Sequence, residues 1–142
     1  MRTIYLAGMF LMLLVGSIED LKDQRINPYW LLLHAAFAVG ARLVLGEILP
    51  GLAGITIGLM LIGAAFVSHQ KVGYGDGLVF VVCGLYLGFW ENFSLLFLSL
   101  VLCALGGLVL MVFGKIRKGQ ALPFIPFVMG AFVCATFFEA VG

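Results

Sequence analysis

Apolar residues fill most of this chain, and the few polar breaks between them organise it. Apolar runs cover residues 4–18, 29–45, 48–67, 78–89, 93–113 and 122–141. An upright helix needs about 20 such residues to cross a hydrocarbon core, and shorter runs manage when flanking side chains reach the interface. The pattern therefore predicts an all-α fold of six transmembrane helices, forming a single integral-membrane domain over residues 1–142.

Composition supports lipid as the solvent. The chain is 63% hydrophobic and 11% charged, with a mean hydropathy of +1.19. A soluble domain is nearer half apolar and a quarter charged. So much apolar surface cannot be hidden from water inside 142 residues, so the bilayer is the expected partner. The net charge of +1 points to no partner. No basic patch carries interleaved aromatics, so nucleic-acid binding is not expected. Cys83, Cys103 and Cys134 lie far apart in apolar runs, without a Cys-x-x-Cys pair. They read as small packing residues, and neither a metal nor a cofactor is expected. The first apolar run could also be read as a signal peptide cleaved near Val15-Gly16-Ser17. Asp20 and its flanks make better sense on a retained helix.

Charge placement orients the spans. Lys22 and Arg25 lie between spans one and two, Lys71 between three and four, and Lys115, Arg117 and Lys118 between five and six. Arg42, Glu47 and Glu91 fall on the opposite side. The positive-inside rule puts the first group in the cytoplasm and both termini outside, with Arg2 in mild dissent. Asp20 and Asp76 then share the cytoplasmic side, and Trp30 and Trp90 anchor opposite interfaces. Gly54-x-x-x-Gly58 and Gly84-x-x-x-Gly88 allow close helix approach, read as packing within the chain rather than as a dimer face.

Two carboxylates could carry chemistry. Asp76 sits in Gly73-Tyr74-Gly75-Asp76-Gly77, at the start of span four. A carboxylate at a membrane boundary is costly and usually functional. It could also be a plain helix cap. Asp20 follows Glu19 at the end of span one, and with Asp23 it could belong to an ordinary solvated turn. Gly73, Gly75 and Gly77 would form a loop that a substrate can approach closely. His34 reads as a packing or hydrogen-bonding residue, while His69 and Glu139 read as groups that reach water.

Three motifs in order resemble the type IV prepilin peptidases. They are Asp20-Leu21 with the basic turn that follows, Gly73-x-Gly75-Asp76, and Leu122-Pro123-Phe124-Ile125-Pro126-Phe127 before the last span. The resemblance implies a membrane aspartyl endopeptidase with Asp20 and Asp76 as its catalytic pair, Asp23 being the near competitor for the first role. It implies a prepilin-like substrate whose short basic leader is removed at the cytoplasmic boundary of the cell membrane. Glu19, Asp20 and Asp23 would attract that leader. The chain departs from the family in reading Ile26-Asn27-Pro28 where many members have Ile-Pro-Asn, and Gly77-Leu78 where many have x-Lys. The paired Cys-x-x-Cys region of the bifunctional members is absent, so the resemblance implies a peptidase without N-methyltransferase activity.

Two carboxylates held close together would share one proton. The helix dipoles predict Asp76, at a helix start, as the ionised partner and Asp20, at a helix end, as the acid. Presenilin-like proteases share the Gly-x-Gly-Asp theme, but the first aspartate here lies in the first span of a short chain. A different class of reading is a small transporter or channel using Asp20 and Asp76 as ion or proton sites.

Overall fold

The computed structural model describes residues 2–69 and 73–142, so Lys71, used above for orientation, lies outside the described residues. It holds six α-helices and, among the described residues, no strand. They are α1 (Arg2–Asp23), α2 (Pro28–Leu45), α3 (Ile48–Val67), α4 (Tyr74–Leu87), α5 (Phe89–Val112) and α6 (Ile125–Val141). Helices α1, α2, α3 and α5 are long and apolar enough to cross a bilayer, whereas α4 and α6 are shorter. The chain is a multi-pass membrane protein. Leu32, Leu33, Val44, Leu49, Phe66 and Phe138 stand exposed, as lipid-facing side chains should.

Short α4 is the centre of the bundle. It packs on α1, α2, α3 and α5, and Val79, Phe80, Val82, Cys83, Leu85 and Tyr86 are all buried. A helix surrounded on every side has no polar face, which is why its sequence is apolar all round. The tightest seam joins α4 to α3. A Cβ on Gly54 or Gly84 would collide with the other's carbonyl, and one on Gly58 would collide with the Val81 backbone. The small-residue motifs thus serve packing within the chain, with one exception. Gly88 lies at φ +92° between α4 and α5 and makes the turn that lets them reverse direction.

Arg42 secures the far end of α4. It is buried, and its Nε and Nη2 donate to the carbonyls of Leu85 and Tyr86, each at 2.9 Å. Those carbonyls lie in the last turn, where no helical N–H can reach them. Arg2 is anchored at the same end, 2.7 Å from Glu139 and 3.6 Å from Glu91. That pairing accounts for a cation on the acidic side of the bundle.

Helix lengths place the opposite end. At 1.5 Å per residue, the 14 residues of α4 span about 21 Å and the 24 of α5 about 36 Å. Because the Gly88 turn keeps one pair of ends level, α5 runs well past Tyr74. The start of α4 therefore sits in a recess, below the end of α5.

Candidate active site

Helix α1 continues past its apolar run to Asp23, which carries Asp20 on a helix rather than in a turn. Asp20 is buried at 6% exposure. Its Oδ2 accepts a hydrogen bond from the backbone N–H of Ile125 at 3.0 Å. That N–H belongs to the first turn of α6, whose own N-cap residue, Phe124, offers no side-chain acceptor. The Pro-Phe motif now has a structural meaning. Pro126 lies in the first turn, where its missing N–H costs nothing, and Phe124 stacks on Phe80 with ring centroids 6.2 Å apart. The free donor at Ile125 is thereby aimed at Asp20.

Helix α4 begins earlier than the apolar pattern, at Tyr74. Gly73 is its N-cap and Asp76 lies inside the first turn, so Asp76 is not the cap. Gly73 leaves room for the carboxylate, since a Cβ there would stand 3.0 Å from Asp76 Oδ2. Gly75 departs from the expectation of a loop, since it lies in the first turn of α4 and packs toward Ile26. Gly77 departs from it too. It is buried within α4 against Gly58 and Ile62 of α3, because the helix starts before it.

Asp20 and Asp76 line one cavity of about 640 Å³. Gln24, Arg25, Ile26, Leu78 and Phe124 share its wall. Asp76 stands ahead of the apolar run that begins at Leu78. Burial, and then the negative charge of Asp20, push its carboxyl up to about 7. This is the reverse of the protonation that the helix dipoles predict. Burial raises the Asp20 carboxyl too, but the N–H it receives from Ile125 at the start of another helix works against that rise and favours its charged form relative to Asp76. Asp76, whose carboxyl shifts far enough to reach about 7, is the candidate to hold a shared proton.

Glu19 and Asp23 stand outside this wall. Glu19 Oε2 instead accepts from the Asn27 N–H at 3.0 Å, bracing the α1–α2 turn. Asn27 in turn caps α2 by accepting from Tyr29 N–H at 3.0 Å, with Pro28 in the first turn. The order Asn27-Pro28 thus reads as a cap followed by a helix-starting proline. Arg25 in the wall was missed from sequence, where it counted only as a topology charge. The Ile125 donor is a backbone group and leaves no mark in side-chain identity. His34 is buried and bonds through Nδ1 to Tyr86 Oη at 2.9 Å, away from the cavity. Among the described residues, no three of His, Cys, Asp and Glu group as metal ligands would.

With this geometry in place, the chain can be set beside known proteins. Residues 7–108, which include both aspartates, match the type IV leader peptidase family, and the chain belongs to that family. The prepilin leader peptidase/N-methyltransferase of Bacillus subtilis (strain 168) is 29% identical over 127 residues. That alignment covers 87% of this chain and 51% of the relative, so the chain spans about half the length of the curated relative it matches. No solved structure matches. The family match favours the peptidase reading over that of a transporter.

Proposed function

We propose that this protein is an aspartic endopeptidase that removes the basic leader of prepilin-like proteins at the cytoplasmic boundary of the membrane. The observation that carries the reading is the placement of Asp20 and Asp76 in one cavity, with an N–H donated to the first and burial raising the second. In the proposed mechanism, ionised Asp20 takes a proton from a water. The resulting hydroxide attacks the scissile carbonyl, whose oxygen is polarised by protonated Asp76. The tetrahedral carbon then collapses, its C–N bond breaks, and the amine leaves with a proton from the pair.

Orientation follows charge. Lys22, Arg25, Lys115, Arg117 and Lys118 lie toward the site end of the bundle, and Glu47, Glu91 and Glu139 toward the other. The positive end belongs in the cytoplasm. The deciding experiment is co-expression with a candidate prepilin. Wild type is expected to produce a leader-length mass loss and Asp76→Ala none. An intact precursor with wild type, or an equal loss with both, would remove the proposal.

A further inference from the structure

A second cleft meets the candidate active site from the side. It measures about 950 Å³ and shares Gly73, Asp76, Ala121, Leu122 and Phe124 with the first cavity. Its outer walls are Leu61 of α3 and Leu96, Leu100 and Cys103 of α5. Those three α5 positions are spaced i, i+4 and i+7, so they form one stripe along about two turns. Beyond Cys103 the stripe ends where Leu122 packs over Gly107, which has no side chain to obstruct it.

The two cavities differ in chemistry. The first holds Asp20, Arg25 and Gln24, whereas the second is walled mainly by leucines, Phe124 and a thiol, with Gln120 and Asp76 as its polar side chains. A substrate that is polar before its cleaved bond and an apolar helix after it would match both. We propose that the α3–α5 cleft seats the apolar helix of the substrate, directly after the scissile bond, while the leader occupies the Asp20 side. The proposal rests on the peptidase reading and adds the site that recognises the helix. Continuity with the carboxylates argues for this occupant. Another apolar groove, between α1 and α2 at Tyr5, Phe37 and Val44, touches neither aspartate.

A KM-against-kcat split tests it. Leu100 is 52% exposed, so Leu100→Trp fills the cleft without crowding the core. With a full-length precursor, KM is expected to rise roughly tenfold with kcat kept, as loss of uniform binding requires. With a short peptide ending just past the cleaved bond, neither constant should move. Equal effects on both substrates, or none on either, would overturn the proposal, the latter leaving the cleft to lipid alone. A second measurement uses Cys103 as the sole thiol, with Cys83→Ala and Cys134→Ala. With an added thiol oxidant such as diamide, single cysteines moved along the substrate helix should form disulfides with it at one face, every three or four positions. Cleavage without any such pattern would also overturn the cleft assignment while keeping the peptidase reading. A wild-type protein that cleaves nothing would remove that reading instead.

Discussion

Asp20 and Ile125 join the last turn of α1 to the first turn of α6 through a 3.0 Å hydrogen bond from backbone N–H to carboxylate. The bond gives one oxygen of the buried Asp20 carboxylate a donor, which offsets part of the rise that burial causes. Asp20→Asn keeps a carbonyl oxygen for Ile125, and Asp76→Asn mimics the protonated carboxyl. Both variants are expected to fold, and each should slow leader removal by about 10²–10⁴-fold, the usual contribution of a positioned acid or base. Time courses of precursor and product by mass spectrometry check this. Near-normal cleavage in either variant would remove that residue from the dyad.

Proton placement sets the pH profile. In the proposed mechanism Asp76, with its carboxyl at about 7, is the acid, so cleavage is expected to fall as pH rises through that value. Leu78 lines the same cavity, at the position where many relatives of the family carry lysine. In Leu78→Lys a nearby cation favours the Asp76 carboxylate, and the alkaline limb should move to lower pH. The check is the pH dependence of kcat for both proteins. A limb that stays put in Leu78→Lys would argue that another group carries the proton.

The same shift has a consequence for stability. The Asp76 carboxyl rises from an ordinary 3.8 to about 7 on folding, so the folded state holds its proton more tightly. Its contribution is complete below about pH 4 and is lost as pH rises through 7. An asparagine cannot ionise. Asp76→Asn should therefore match wild type in acid, gain on it between pH 4 and 7, and hold a constant advantage above. Thermal unfolding in detergent across that range measures the difference. Equal melting at pH 8 would mean that the buried carboxylate is not destabilising.

Much of this architecture is legible in the sequence because lipid enforces it. A run such as 48–67 has few options other than a helix, and the α3 bounds match the apolar run residue for residue. The ends of α1 and α4 were less legible, since each helix continues through polar or glycine-rich residues that hydropathy reads as loop. For the same reason Gly77 was taken for a loop residue, although a packed partner, Ile62, lies across from it. The aspartates stood out by their setting at the membrane edge. Which one is more acidic did not, because the deciding N–H arrives from Ile125, more than a hundred residues away along the chain.

The α3–α4 seam makes the final prediction. Gly54 and Gly84 approach so closely that a methyl group on either meets the other's carbonyl, and backbone cannot give way as a side-chain tip can. Gly84→Ala must therefore push α4 off α3, at a cost of about 1–3 kcal/mol or more from overpacking. Because α4 also carries Asp76, cleavage should fall with stability. Gly63 supplies the contrast, for a Cβ there meets nothing within 4 Å. Gly63→Ala should be neutral or stabilising by up to about 1 kcal/mol, the helix preference of alanine over glycine. Melting temperatures of the two variants in one detergent decide the matter. A Gly84→Ala protein as stable as Gly63→Ala would show that the two backbones do not touch, and the recess that holds Asp76 would need another support.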